Sequence, residues 1–227
     1  MPSHFQKSIT AGLLLFSSYV FASSADTQLS ATRYNNFYIG ADVGIASLVD
    51  NESTNTPQDS HRLSATGAVG GGFIGYDFTL REQLKLGLEG FINATDLNLS
   101  DNQNYAPTSS YKVSMSYSAG FRLIPGYELT PDTIGELILG YAYGKFNVSD
   151  NGNYGIINTH FSKSGFQYGL GLKTFIYKNF SVRADVLYTT YSSQTSDGVT
   201  TSTPASTQVY KNNLSTLEGN LALIYKL

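Results

Sequence analysis

The chain has 227 residues, 17 of them acidic and 14 basic, with a net charge of -3, 22 glycines, 17 tyrosines, and no cysteine or tryptophan. So weak a charge, with no lysine-rich or arginine-rich run, excludes a nucleic-acid footprint, and the lack of cysteine excludes disulfides, a lipidated N-terminal cysteine and thiol catalysis. Charged residues make up 14% where soluble domains average about 25%, and no apolar stretch approaches the roughly 20 residues of a spanning helix, so a helical membrane protein is excluded too.

Residues 1–10 carry one cation, Lys7, and no acid, and are followed by the short apolar run 11–22 (AGLLLFSSYVFA). A basic start, a short apolar segment and small residues make a secretory signal peptide, expected over 1–22. Val20 and Ala22 fit cleavage after Ala22; Ser23 and Ala25 fit cleavage after Ala25. Residues 23–35 are expected to be a short periplasmic lead, and 36–227 one all-β domain.

From residue 36 onward, segments of about ten residues alternate apolar and polar side chains, so that each strand presents one apolar face. The first, 37–45, sets Phe37, Ile39, Ala41, Val43 and Ile45 against Gly40, Asp42 and Gly44. The second, 68–78, is glycine-rich, with Ile74, Tyr76 and Phe78 in register. The third sets Leu84, Leu86, Leu88 and Ile92 against Lys85, Gly87, Glu89 and Phe91. The fourth sets Tyr111, Val113, Met115, Tyr117, Ala119, Phe121 and Leu123 against Lys112, Ser114, Ser116, Ser118, Gly120 and Arg122, before a turn around Pro125 to Pro131. In the fifth, Leu137, Leu139, Tyr141 and Tyr143 oppose Glu136, Gly140, Ala142 and Gly144, with Ile138 falling on the glutamate side. The sixth sets Phe166, Tyr168, Leu170 and Leu172 against Gln167, Gly169, Gly171 and Lys173. The seventh sets Val182, Ala184, Val186 and Tyr188 against Arg183, Asp185 and Leu187. The eighth sets Leu217, Leu221, Leu223, Tyr225 and Leu227 against Glu218, Asn220, Ala222 and Lys226.

Eight such segments predict an eight-stranded antiparallel up-and-down transmembrane β-barrel. Links after the second, fourth and sixth are short, while 49–64, 96–110, 149–160 and 192–213 are long and polar. Short periplasmic turns and long extracellular loops put both termini in the periplasm. A lipid-facing Arg or Lys at the bilayer midplane costs about 2–4 kcal/mol, and the apolar faces carry no charge. The opposite faces collect Asp42, Glu89, Arg122, Glu136, Lys173, Arg183, Asp185 and Glu218. A soluble lipocalin-like barrel would have to bury these eight in a dry interior that its glycines and alanines could not fill.

The segments 37–44 (FYIGADVG), 72–76 (GFIGY), 86–90 (LGLEG), 140–144 (GYAYG) and 180–185 (FSVRAD), in this order, resemble the small OmpA/OmpX-like and opacity-type outer-membrane proteins, the outer-membrane protein β-barrel domain family. The resemblance covers essentially the whole mature chain. It implies a bacterial outer-membrane location, contact with outer-membrane lipid and lipopolysaccharide, delivery by periplasmic chaperones to the barrel-insertion machinery, and an interior ionic cluster that includes Glu89 and Arg183. Three departures stand out: Leu227 where the family ends in phenylalanine, which would slow recognition by that machinery; Lys173 where an acid is common; and no tryptophan. The lipid-facing aromatic girdle is then expected from Phe37, Tyr76, Tyr117, Phe121, Tyr141, Tyr143, Phe166, Tyr168, Tyr188 and Tyr225, since an amphipathic ring suits the interface.

An interior of eight strands is just wide enough for side chains to fill, so the inward charges are expected to pair and plug the lumen; the alternative is a narrow pore that opens as pairs exchange. A lipid A-modifying enzyme is the second class. His160-Phe161-Ser162 resembles the His-aromatic-Ser element of barrel deacylases, but Lys163 and Ser164 replace the small residues usual after the serine, and 165–179 offers no acid to orient the histidine. No metal site is expected: His4, His61 and His160 share no ligand spacing, and 101–104 (DNQN) and 150–153 (DNGN) lack the downstream glutamate of a calcium loop. No cofactor is expected. The segment 192–208, rich in Ser and Thr, cannot order itself by burying apolar surface. The expected role is therefore non-enzymatic, structural or adhesin-like, through loops that meet a host or matrix ligand, in a monomer.

Overall fold

A computed structural model describes the backbone of residues 35–54, 60–101, 110–152, 155–192, 194–198 and 208–227, with side chains over 35–49, 64–98, 114–147, 160–192 and 214–227. The expected signal peptide (1–22) and all but residue 35 of the lead lie outside the described residues, as do residues 199–207 and the side chain of His61. The strands are β1 (Asn36–Thr54), β2 (Ser60–Thr79), β3 (Leu84–Asp101), β4 (Ser110–Thr130), β5 (Thr133–Gly152), β6 (Gly155–Tyr177), β7 (Phe180–Tyr191), β8 (Gln194–Gly198) and β9 (Gln208–Lys226). Each pairs antiparallel with its neighbour, and β1 pairs β9 from Tyr38↔Lys226 to Thr54↔Tyr210, closing the sheet. The short β8 continues β7 along β9: Thr190 pairs Ser215 and Gln194 pairs Asn212, one residue more on the β7–β8 side. Nine strands thus make eight staves of a barrel closed by β1 on β9, with β8 paired on its β9 side.

The barrel is inside out relative to a soluble fold. Phe166 is 72% exposed and Val43 66%, whereas Arg183 and Arg122 are 1% and 2% exposed. Isoleucine, leucine, valine and aromatic side chains ring the outside at alternate positions of every stave, as lipid contact requires. Outward Ile74 and Phe78 also settle the facing of the glycine-rich β2. The three short turns, 80–83, 131–132 and 178–179, share one end of the barrel with Asn36 and Lys226. Among the described residues no helix is long and apolar enough to cross a membrane.

Four features differ from the sequence pattern. Strands run well past the apolar belt: β1 and β2 stay paired to Ser53↔Ser60, and β5 and β6 to Gly152↔Gly155. Alternation reports which face meets lipid, whereas backbone pairing continues wherever two chains run antiparallel. Met115 points into the barrel rather than to lipid, because the register of β4 steps between Met115 and Tyr117 on its β5 side, leaving Ser116 as a bulge. Thr95 Oγ1 donates to the Met115 carbonyl there at 2.6 Å. Pro125 lies within β4, not in a turn; pairing to β5 skips Ile124 and Pro125, as expected where a residue has no N–H to give. Finally, the interior is not filled by charge alone: Tyr38, Phe73 and Ile124 are buried inside it beside Phe91, Ile138 and Leu187, which the alternation already puts on the inward side.

Candidate functional site

The lumen is built in layers. Nearest the turns, Lys173 Nζ donates to Asp77 Oδ2 at 2.6 Å, and Lys85 Nζ lies 3.4 Å from Glu128 Oε2 and donates to the Glu82 carbonyl at 2.9 Å. Above them Glu89 is the hub. Arg122, its cross-strand partner on β4, donates through Nη1 to Oε1 at 2.9 Å. Arg183 reaches it from β7 with two bonds, Nη1 to Oε2 at 2.8 Å and Nη2 to Oε1 at 3.2 Å. Tyr38 Oη donates to the same carboxylate at 3.3 Å. The planar guanidinium matches a carboxylate in this forked geometry, which strengthens and orients the pair.

Both arginines carry further partners. Arg183 Nε donates to Asp185 Oδ2 at 2.9 Å and stands 4.0 Å from Glu136 Oε2. Arg122 Nε donates to Gln167 Oε1 at 2.7 Å, and Gln167 Nε2 to Thr189 Oγ1 at 3.1 Å. Arg122 lies 3.8 Å over the Phe91 ring and Arg183 4.8 Å over Phe73, so each cation meets an aromatic face as well as an acid. Room for these rings comes from glycine: Phe73 faces Gly40 and Tyr38 faces Gly75 across the β1–β2 ladder, and a Cβ on either glycine would overlap the ring.

Above this network lie Asp42, Asn93, Asn220, Glu218 and Thr216, with Thr216 Oγ1 donating to Glu218 Oε1 at 3.3 Å. Ala46, Leu48, Val69, Leu97, Met115, Phe146, Tyr191 and Leu214 then cap the lumen on the loop side. At the turn side, the space between Tyr38, Asp77, Lys173 and Ile224 amounts to about 10 Å³.

All eight inward ionisable residues named from the sequence line the lumen. Glu89, Arg122, Arg183 and Asp185 meet directly, with Glu136 at their margin. Lys173 turns instead to Asp77, a residue the alternation did not single out because glycines interrupt the pattern of β2. Asp42 and Glu218 lie within 4 Å of no cation among the described residues. Phe91 is inward as its parity in the third segment has it, whereas Phe73 and Tyr38 were missed because nothing but position parity distinguishes an inward aromatic from a lipid-facing one.

All ten aromatic residues named for the girdle point outward, with Tyr76, Tyr117 and Tyr188 half-covered by neighbours. They fall in two bands. Phe37, Tyr76 and Tyr225, joined by Phe78, Tyr127 and Phe180, lie by the turns, with Phe37 and Tyr76 4.7 Å apart. Phe121, Tyr141 and Phe166 form a row on β4 to β6 toward the loop side, at 5.9 and 5.8 Å. His160 is exposed on β6 and its Nδ1 stands 2.6 Å from Asn147 Oδ1, so the place of an orienting acid is taken by a carboxamide. Among the described residues no three His, Cys, Asp or Glu side chains are grouped to hold a metal.

The family profile described as outer membrane protein beta-barrel domain matches residues 8–216. No curated protein matches the sequence. Among solved structures, OprG from Pseudomonas aeruginosa is 11% identical, with 86% of this chain and 98% of that one covered and a TM-score of 0.46. Neisserial surface protein A is 17% identical, with 84% and 97% covered and a TM-score of 0.42. The attachment invasion locus protein of Yersinia pestis is 10% identical, with 82% and 99% covered and a TM-score of 0.37. At these identities no residue role passes from them to this chain.

Proposed function

The chain belongs to the outer membrane protein beta-barrel domain family, and from that premise we propose a non-enzymatic, structural or surface-interaction role carried by the hairpins at the loop end of a closed barrel. The observation that carries this reading is their reach. β1 and β2 stay paired out to Ser53, eight residues beyond the lipid-facing Ile45, which at about 3.4 Å per residue is roughly 27 Å along the strand. Turns of two to four residues at the other end give nothing comparable to bind with. In this reading the turns and both ends of the barrel are periplasmic, the hairpins meet lipopolysaccharide sugars or a host or matrix ligand, and the protein works as a monomer after delivery by periplasmic chaperones and the insertion machinery.

The Glu89–Arg183 tie and the apolar cap at Leu48, Leu97 and Phe146 support a closed lumen. A narrow pore is the second reading, favoured by the polar layer at Asp42, Asn93 and Asn220. The test uses the refolded protein in nanodiscs beside a variant with residues 50–63 replaced by a short turn. Binding to immobilised lipopolysaccharide or matrix polymer is expected for the full chain and lost in the trimmed one; equal retention by both, or none by either, overturns the loop role. Steady single-channel conductance in a planar bilayer rejects the closed lumen and selects the pore.

A further inference from the structure

One part of the lumen is not accounted for by the ion pairs. Asp42 on β1 pairs with Gly71, and Gly71 pairs in turn with Asn93 on β3, so no side chain stands between Asp42 and Asn93 in that row. Asn220 on β9 pairs with Gly44, two residues along β1 from Asp42 and on the same inward face. The Oδ1 of Asn93 leans over Gly71 into the space a Cβ there would fill, and the Oδ1 of Asn220 leans over Gly44 in the same way. Two glycines therefore admit two carboxamide oxygens, one on each side of Asp42.

Asn93 is 0% exposed, Asn220 4% and Asp42 8%. Neither amide atom of Asn93, nor Asn220 Oδ1, nor Asp42 Oδ1 has a hydrogen-bond partner, while the Asn220 amide nitrogen is turned to the Glu218 carboxylate. Buried polar atoms are almost always satisfied, and three oxygens left open at one place, Asp42 Oδ1, Asn93 Oδ1 and Asn220 Oδ1, point to a ligand that brings positive charge to oxygen. The charge balance agrees. Five acids, Asp42, Glu89, Glu136, Asp185 and Glu218, face Arg122 and Arg183, with Lys173, tied to Asp77, acting on Glu136 and Lys163 buried further toward the loops, so acids still outnumber cations. The two arginines attract Asp42, while Glu89, Asp185 and Glu218 repel it.

We propose that Asp42, Asn93 and Asn220 hold a hard cation, sodium or calcium, inside the barrel, with water completing its shell. Carboxylate and carboxamide oxygens are the donors such ions take, and a cation here offsets an acidic excess that the arginines leave uncompensated. Sealed between the Glu89 network and the apolar cap, it is captured as the barrel closes and stiffens the half of the lumen that no ion pair ties.

The test is urea unfolding of the full chain refolded in detergent micelles, at matched ionic strength in choline chloride, sodium chloride and calcium chloride. At ten times its dissociation constant, the bound cation is expected to lower the ratio of unfolded to folded protein at the choline midpoint about tenfold. Whichever salt does so identifies the ion. Asp42→Asn, which removes a buried charge without changing shape, should erase that difference, and so should Asn93→Ala, which serves if the first variant does not refold. Coincident midpoints in the three salts, or a difference that survives both substitutions, overturn the site.

Discussion

Arg183 on β7 clasps Glu89 on β3 with two hydrogen bonds, four staves apart around the barrel, so one ion pair ties opposite walls. Both side chains are out of water, and removing one leaves an uncompensated buried charge, a loss of about 3–5 kcal/mol. Glu89→Gln and Arg183→Met should each destabilise the refolded protein by that order in urea titration followed by circular dichroism. The double substitution should cost less than the two losses added. Additive losses would show that the pair does not act as a unit.

Lys173 and Asp77 provide a contrast. Their side chains are 3% and 16% exposed at the turn-side mouth, where water reaches the acid once its partner is gone. Lys173→Met is expected to cost about 1 kcal/mol, well below Glu89→Gln in the same titration.

Gly40 is needed for its lack of a side chain. Its cross-strand partner Phe73 lies over it and supports Arg183, so Gly40→Val forces the ring aside and should cost about 1–3 kcal/mol. Phe73→Ala in the Gly40→Val background should then cost less than Phe73→Ala alone, measured as refolding midpoints.

Lipid contact can be read by charge insertion. Val43→Arg places a cation on the belt and should lose about 2–4 kcal/mol, whereas Leu80→Arg, in an exposed turn, should stay within about 0.5 kcal/mol. Equal losses at the two positions in lipid vesicles would contradict the assigned belt.

The alternation in β3 and β9 was legible because lipid on one side and a polar lumen on the other impose period two on any stave that separates them. Where that contrast fades, so does the signal. Glycines in β2 hid the inward Asp77, and the bulge at Ser116 reversed parity without a mark in the sequence, turning Met115 inward. Residues 50–54 and 60–62 are polar at every position, so the continued pairing of the β1–β2 hairpin left no alternation to read.

The sequence by itself determined the architecture: eight charge-free apolar faces at regular spacing admit few arrangements other than a lipid-embedded barrel, because exposing a charge to lipid costs more than a single fold could absorb repeatedly. Tertiary structure alone decided the partners. That Glu89 meets Arg183 as well as its cross-strand neighbour Arg122, that Lys173 turns to Asp77, and that Phe73 finds space over Gly40 all follow from register and closure, which bring together residues from staves whose separation along the chain says nothing about their distance across the lumen.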